Sequence, residues 1–270
     1  MIDSLTCARA RAVCTAPLLG PDDPPPFQVH HPHGRSPFVL IADHAGQQVP
    51  QALDGLGLAQ AERDRHIGWD IGIAGVTLEL ARRLDAWAIT QTYSRLVIDC
   101  NRPLASPTLI APISDGTVIA ANAGLDAAAR QQRIDAIHAP YHARITAELD
   151  LRQQRGQATI LVAMHSFTPA MNGVERPWHA GVLYHRDIRL AHVLRDALAA
   201  EPGLVIGDNQ PYAVTATSDY AVPIHGEARG LVHVELEIRQ DLIADVRGQH
   251  EWAQRLERIL RQLAPQFTAI

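Results

Sequence analysis

The amino-acid sequence predicts an α/β protein, a three-layer α/β/α sandwich around a mostly parallel or mixed sheet. Short apolar runs of strand length alternate with segments whose apolar residues recur at helical spacing, and this alternation is typical of a sheet with helices on both faces. The chain shows no internal repeat and no second set of core segments. We therefore expect a single α/β domain over residues 37–270, preceded by an N-terminal arm of residues 1–36.

The elements follow from local patterns. Pro17, Pro21 and Pro24–Pro26 predict an arm without regular structure. The apolar run at residues 38–42 predicts a buried strand, and residues 71–84 have helical spacing, with two arginines at the end where cations complement the helix dipole. Further strands are expected at residues 88–93, 96–100, 158–164, 181–184, 204–206 and 231–238, and further helices at residues 123–155, 188–200 and 240–263.

Composition and charge exclude several classes of function. Of the 270 residues, 47% are hydrophobic and 20% are charged, the formal net charge is −5, and no basic patch of the kind that binds nucleic acid is visible. No apolar run approaches the roughly 18 residues that a membrane span requires. No signal peptide is evident, and Cys7, Cys14 and Cys100 lack CxxC spacing. We expect a cytoplasmic monomer or small homo-oligomer with no nucleic-acid or membrane partner.

Two histidines follow buried strands directly. Asp43-His44-Ala45-Gly46 comes after the strand at 38–42, and His165-Ser166 comes after the strand at 158–164. Because ligands of open α/β sheets bind beyond the strands' carboxyl ends, the two rings can converge on one metal ion. Each could instead be a loop histidine bonded to backbone. Asp70 is the expected third ligand, with an N-cap as its alternative role, and His66 is the reserve ligand.

The polar segment at residues 94–103 predicts a site for a carboxylate. Its expected strand ends in Asp99-Cys100-Asn101-Arg102, and Arg95 lies near its beginning. A guanidinium can bind a carboxylate through two parallel hydrogen bonds, and an asparagine amide adds another donor. The structural alternative is a buried Asp99–Arg102 ion pair that pins the loop.

The last predicted strand carries a polar face. Strict alternation places His233, Glu235 and Glu237 on one side of it. An exposed edge strand would explain such a face, and so would a carboxylate that handles the protons of a hydrolysis, which needs first a base and then an acid. The spacing alone leaves both explanations open.

Several motifs, taken in order, resemble the N-formylglutamate amidohydrolase family. They are Asp43-His44-Ala45-Gly46, Trp69-Asp70, Tyr93-Ser94-Arg95, Asp99-Cys100-Asn101-Arg102-Pro103, Pro140-Tyr141-His142, His165-Ser166 and Leu236-Glu237. The resemblance runs from near residue 36 to about residue 250. It implies hydrolysis of N-formyl-L-glutamate to formate and glutamate, as in histidine breakdown. It also implies a phosphorylase/hydrolase-like fold similar to that of zinc carboxypeptidases.

The same resemblance implies roles for single residues. By likeness to zinc carboxypeptidases and aspartoacylases, His44 and His165 would bind zinc, and Glu237 would be the base. The His-x-x-Glu motif of those enzymes has Gln47 at its last position here, and an amide is a poor metal ligand. This departure is the reason for assigning Asp70 as the third ligand.

These residues combine into the hypothesis of a zinc-dependent amidohydrolase that acts on the linear amide of a small carboxylate. The assigned residues are His44, Asp70 and His165 for Zn2+, Glu237 and Arg95 for catalysis, and Asn101, Arg102 and Ser166 for substrate. The open alternatives are a deacylase with a larger acyl pocket, a metal-free protein that binds small dicarboxylates, and Glu235 as the base. A serine hydrolase through Ser166 is disfavoured, because no GxSxG motif surrounds it.

Overall fold

The computed structural model describes residues 17–268, and a seven-stranded sheet lies at its centre. The strands are β1 (Phe27–His30), β2 (Phe38–Ala42), β3 (Trp87–Gln91), β4 (Ile113–Ser114), β5 (Thr117–Val118), β6 (Ile160–Phe167), β7 (Ala170–Met171), β8 (Val174–Glu175), β9 (Ala180–Leu183), β10 (Ile206–Asp208) and β11 (Val232–Arg239). The α-helices are α1 (Gln60–Arg63), α2 (Ile73–Leu84), α3 (Ala127–Arg133), α4 (Ala139–Gln154), α5 (Arg189–Ala199), α6 (Val246–Leu263) and α7 (Pro265–Thr268). The pairs β4–β5 and β7–β8 form two short hairpins outside the central sheet.

The central sheet is mixed and has a parallel core. Its strand order is β1-β3-β2-β6-β11-β9-β10. Strands β3, β2, β6 and β11 run parallel to one another. Strand β1 is antiparallel to β3, and β9, which pairs in parallel with β10, is antiparallel to β11. This arrangement confirms the predicted fold class.

Each face of the sheet packs against its own apolar layer. Successive side chains of a strand point to opposite faces, so Leu40 and Val162 belong to one layer, whereas Ile41 and Leu161 belong to the other. Helices α2, α5 and α6 cover the first layer. The second layer is covered by α4 and the long connection that follows β3. The three predicted layers are therefore present.

The strand predicted at residues 96–100 is wrong. These residues form turns, although Leu96, Val97 and Ile98 are buried. Their carbonyl groups are bound by side chains instead of a neighbouring strand: Arg133 Nη1 donates to Val97 O over 2.8 Å, and Asn122 Nδ2 donates to Leu96 O over 2.8 Å. The apolar run reflects burial, not strand pairing.

Two further elements differ from expectation. Strand β1 lies inside the arm that was predicted to lack regular structure, and it pairs antiparallel with β3 at the edge of the sheet. Its backbone donors are available because no proline lies within it. Strand β10 begins at the residue where the strand predicted at 204–206 was expected to end.

The long helical region is divided into three parts. A π-helical turn at Ile134–His138 separates α3 from α4. None of the helices within residues 17–268 combines the length and apolar character that crossing a membrane would require. Cys100 is a buried free thiol, and Cys7 and Cys14 lie outside the described residues.

Candidate active site

A cavity of about 550 Å3 lies at the carboxyl ends of the parallel strands. Strands β2 and β6 are neighbours, but the chain continues from β2 to β3 on one side and from β6 to β9 and β11 on the other. Connections that diverge in this way leave a crevice between two strand ends, which is where open α/β sheets bind ligands. Residues that line this cavity include His44, Asp70, His165, Glu235 and Glu237.

His44, Asp70 and His165 meet at the buried side of the cavity. Nδ1 of His165 lies 3.0 Å from Oδ2 of Asp70, and Nδ1 of His44 lies 3.5 Å from the same oxygen. The ligand atoms of the three residues lie within 4.8 Å of one another, and the centroids of the two imidazole rings are 4.9 Å apart. Two imidazole nitrogens and one carboxylate oxygen form a donor set that catalytic zinc sites use. This group could therefore hold a metal ion.

The His44 ring is oriented for that purpose by a carboxylate on its far side. Nε2 of His44 lies 2.7 Å from Oδ1 of Asp99, and because a carboxylate only accepts, Nε2 carries a proton. In the neutral ring the lone pair is then on Nδ1, the atom that faces Asp70. This Nδ1 is buried and has no hydrogen-bond partner among residues 17–268. A buried lone pair of this kind fits a cation.

A second carboxylate lies behind His165. Nε2 of His165 is 3.5 Å from Oδ2 of Asp43. Asp43 is only 1% exposed, and neither of its carboxylate oxygens has a hydrogen-bond partner in the described part of the chain. Sequence reasoning missed both Asp43 and Asp99 as site residues. The available signal was their position, directly before His44 and four residues after Arg95.

Acidic groups dominate the electrostatics around the two rings. Burial alone would lower the pKa of His165, but the carboxylates of Glu235, Asp43 and Asp70 outweigh it and raise that pKa well above its usual value. Burial favours the neutral form of Asp70, yet the adjacent His44 and His165 lower its pKa. Buried carboxylates remain ionised only beside positive charge, and a divalent cation would provide it.

Backbone contacts hold Asp70 in place. Its N–H donates to His44 O over 2.9 Å, and its Oδ2 accepts from the N–H of Ser166 at 3.2 Å. The N-cap of α2 is Gly72, in the left-handed region at φ 81°, so the N-cap interpretation of Asp70 is wrong. The Ser166 hydroxyl donates to Ile71 O over 3.0 Å, which leaves its lone pairs for a ligand.

The other candidates for the third ligand lie elsewhere. Nε2 of His66 is 3.1 Å from Oδ2 of Asp115, away from the two converging rings but still on the cavity wall. Gln47 is exposed. Neither residue joins the group of His44, Asp70 and His165.

Gly46 allows the loop that carries His44 to lie close to the loop after β3. A Cβ atom at this position would be 2.0 Å from the carbonyl oxygen of Thr92. Only a residue without Cβ permits two backbones to approach this closely. The sequence pattern that follows His44 therefore has a steric cause.

Arg95 bridges two of the aspartates. Its Nη2 donates to Asp99 Oδ2 over 2.9 Å, and its Nη1 lies 3.5 Å from Asp70 Oδ1. Burial would lower the pKa of Arg95, but the carboxylates of Asp99 and Asp70 raise it above the usual value. The side chain is 25% exposed and lines the cavity. The expected Asp99–Arg102 pair is longer, at 3.9 Å.

Asn101 and Arg102 also line the cavity, and both bind the segment at residues 218–221. Oδ1 of Asn101 accepts hydrogen bonds from the N–H groups of Tyr220 and Ala221, each at 3.0 Å. Nη1 of Arg102 donates to Ser218 O and Asn101 O, at 2.5 and 3.1 Å. The contacts of Arg102 with other described residues, including an ion pair of 3.6 Å with Asp219, use Nη1 and Nε and not Nη2. That nitrogen remains available to a ligand.

Strand β11 brings two acidic side chains to the cavity. Val234 and Leu236 point into the first apolar layer, so Glu235 and Glu237 point to the opposite face. Because β11 lies between β6 and β9, the explanation of this polar face as an exposed edge strand is wrong. Glu237 lies beside His165 in the parallel register of β11 with β6.

Both glutamates are buried in an environment that favours the neutral acid. Burial raises the pKa of Glu235 to about 7. Burial also raises the pKa of Glu237 well above its usual value, assisted by the negative charges of Asp70 and Glu235. Oε2 of each glutamate is without a hydrogen-bond partner in the described chain. A carboxyl group whose pKa is raised toward neutral pH can both release and take up a proton.

The loop after β10 contributes Tyr212 to the cavity wall. Its Oη accepts a hydrogen bond from Arg176 Nη1 at 2.9 Å, and the guanidinium lies 4.9 Å from the ring centroid. Arg176 also contacts Thr168 and Met171, which line the cavity as well. A single arginine therefore orders this part of the wall.

Comparisons with known proteins identify a family and similar folds. The family model described as N-formylglutamate amidohydrolase matches residues 36–244. An N-formylglutamate deformylase of Pseudomonas putida is 32% identical over 139 residues, which is 47% of this chain and 51% of that protein. The chain thus spans about half the length of this curated relative.

Two solved structures are similar to the whole fold. The crystal structure of a gene product of Agrobacterium tumefaciens is 30% identical, with a TM-score of 0.89, and the match covers 92% of this chain and 98% of that one. The crystal structure of N-formylglutamate amidohydrolase from Ralstonia eutropha is 22% identical, with a TM-score of 0.68, and the match covers 90% of this chain and 98% of that one. The second likeness concerns the fold alone.

Proposed function

The chain belongs to the N-formylglutamate amidohydrolase family, and on that premise we propose that it hydrolyses the amide bond of an N-acylated amino acid. The favoured substrate is N-formyl-L-glutamate, with formate and L-glutamate as products. The observation that carries the proposal is the convergence of His44, Asp70 and His165 in a cavity that is also lined by Glu235 and Glu237, whose Oε2 atoms have no hydrogen-bond partner within residues 17–268.

We further propose that the three converging residues hold zinc. Support comes from Nδ1 of His44, which has no hydrogen-bond partner in the described chain, from the donor set of two imidazoles and one carboxylate, and from the surplus of buried acidic groups. A zinc ion held there supplies Lewis-acid polarisation of the scissile carbonyl and activation of water.

Glu237 is the proposed proton carrier. Its Oε2 accepts a proton from the attacking water while the water oxygen bonds to the carbonyl carbon, and the same proton then goes to the nitrogen as the C–N bond breaks. Arg95 faces the cavity and is placed to stabilise negative charge on the carbonyl oxygen.

Substrate binding is assigned to the other polar groups of the wall. Nη2 of Arg102 and the Asn101 amide, whose Nδ2 also donates to Asp219 Oδ1 over 3.4 Å, bind a substrate carboxylate. Ser166 Oγ accepts the N–H of the scissile amide. The carboxylate contact lies at a distance from the reacting bond and positions the amide for attack.

The test is hydrolysis of N-formyl-L-glutamate by the purified protein, before chelation, after chelation and after zinc is restored. We expect activity to follow zinc content. Glu237→Gln should lower turnover by ~10²–10⁴-fold with its zinc content unchanged. Glu235→Gln, on the same face of the same strand, is the matched control. Full activity of Glu237→Gln would transfer the role of base to Glu235.

A substrate panel separates the alternatives. N-formyl, N-acetyl and formimino amino acids, assayed side by side, identify the acyl group, because a larger acyl pocket would favour the N-acetyl compounds. Binding of dicarboxylates without turnover, in protein that retains no metal, would overturn the enzyme proposal in favour of a carboxylate-binding protein.

A further inference from the structure

The segment Cys100-Asn101-Arg102 lies in no helix or strand, and side chains hold its backbone. The carbonyl of Cys100 accepts from Nε2 of His142 at 2.8 Å, and that of Arg102 accepts from Nε2 of His138 at 3.3 Å. The carbonyl between them, of Asn101, accepts from the Arg102 side chain. Three consecutive carbonyl groups are thus each bound by a side chain, and their position depends on those side chains.

The orientation of the His142 ring follows from its partners. A carbonyl only accepts, so Nε2 of His142 carries the proton, and its Nδ1 must accept from Nε2 of His225 at 2.9 Å. The two rings are stacked, with centroids 5.2 Å apart and planes at 22°. Burial, together with the nearby His138 and His225, lowers the pKa of His142 well below its usual value, so the ring is neutral and its tautomer is defined.

His142 also contacts the second segment that forms the wall. The ring of Tyr220 lies 4.4 Å from the ring of His142, centroid to centroid, and Tyr220 and His225 belong to the region that Asn101 binds through its amide oxygen. His142 is therefore packed between two segments: residues 100–102, which include Arg102, and the segment at residues 218–221, which Arg102 binds. It does not belong to the candidate metal group.

We propose that His142 is a positioning residue for the substrate carboxylate: by holding Cys100 O, it fixes the backbone from which Asn101 and Arg102 reach into the cavity. This gives a role to the Pro140-Tyr141-His142 motif, which opens α4 directly after the π-helical turn. The inference rests on the proposed function, because the carboxylate-binding role of Arg102 does. We therefore expect His142 to affect ligand binding and not proton transfer by Glu237.

The experiment compares wild type, His142→Phe, His142→Gln, Arg102→Ala and the double variant His142→Phe/Arg102→Ala. KM and kcat are measured for N-formyl-L-glutamate with zinc-loaded enzyme, and the dissociation constant of L-glutamate is measured by calorimetry. Phenylalanine keeps the ring volume and removes the donor, whereas glutamine keeps an N–H that can reach Cys100 O.

We expect His142→Phe to raise KM and the L-glutamate dissociation constant by ~10-fold or more, the size of the charge-assisted hydrogen bond from Arg102 to the ligand carboxylate that would be weakened. The value of kcat should stay within about 3-fold, and zinc content should be unchanged. His142→Gln should restore most of the loss. In the Arg102→Ala background, His142→Phe should have little further effect, because residues that act through one contact are not additive.

Unchanged binding in His142→Phe would overturn the inference. So would an equal loss in the Arg102→Ala background, or failure of His142→Gln to restore binding. If His142→Phe does not fold, His225→Phe tests the same link by removing the donor that orients the His142 ring, and its effect must also vanish without Arg102. If wild type binds L-glutamate but hydrolyses no N-acyl amino acid, the proposed function fails and the binding series still decides the role of His142. If wild type binds no L-glutamate, the inference fails as well.

Discussion

Substitution of Asp99 by asparagine tests the candidate metal group through a residue that does not belong to it. Oδ1 of Asp99 accepts from His44 Nε2 at 2.7 Å and from Asn101 N at 2.9 Å, and Oδ2 accepts from Arg95 at 2.9 Å. In Asp99→Asn one of these oxygens becomes an NH2 group, which cannot accept. Whichever way the amide turns, donors face donors on one side.

The size of the effect follows from these contacts. The favoured orientation keeps the oxygen on His44 and loses the charge-assisted bond to Arg95, which costs ~1.5–3 kcal/mol of the free energy of unfolding. The imidazole then has a neutral acceptor where it had an anion. Loss of the carboxylate behind a metal-binding histidine lowers metal affinity by ~10–100-fold, equivalent to ~1.4–2.8 kcal/mol.

The assay is competition for zinc between the stripped protein and a chromophoric chelator, with denaturant unfolding measured in parallel. The matched control is Asp115→Asn. Asp115 also lines the cavity and also contacts an arginine and a histidine, Arg65 and His66, but neither contact involves the metal group. Equal zinc affinity of wild type and Asp99→Asn would refute the reasoning, as would an equal loss of affinity in Asp115→Asn.

Two further predictions concern pH and packing. Glu235→Gln removes a negative charge that helps to raise the pKa of Glu237. Glu237 should then lose its proton at lower pH, so the acidic limb of the plot of kcat against pH should move to lower pH. A limb that stays in place or moves to higher pH contradicts the assignment of Glu237 as the base. Gly46→Ala places a Cβ 2.0 Å from Thr92 O and should lower the free energy of unfolding by ~1–3 kcal/mol or more. The control Gly20→Ala, whose Cβ would meet nothing nearer than 3.7 Å, should change that free energy little. Equal unfolding curves for the two variants would contradict the steric argument.

Local sequence predicted that the two histidines lie close together, although His165 lies inside β6 and not after it, because the strand runs to Phe167. His44 and His165 follow buried apolar runs, and parallel pairing of β2 with β6 brings them together. Alternation along β11 likewise predicted that Glu235 and Glu237 share a face. These features have a fixed geometric period, so a single sequence is sufficient to predict them.

The missed features depend on partners that are distant in sequence. Residues 96–100 have the apolar pattern of a strand because their side chains are buried. Their carbonyl groups are instead bound by the side chains of Asn122 and Arg133, which follow more than twenty residues later in the chain. The sequence suggested Arg102 as the partner of Asp99 because the two are three residues apart. The shortest contact of Asp99, however, is with His44, 55 residues away. No local periodicity encodes such pairings.

The position of β11 has a consequence for how the chain folds during synthesis. This strand is the last of the sheet to leave the ribosome, yet it is inserted between β6 and β9, which precede it in the chain. A nascent chain that ends at residue 231 already contains His44 and His165, but the edge of β6 that pairs with β11 has no partner strand yet. Completion of the sheet and arrival of Glu237 in the cavity therefore occur together during synthesis.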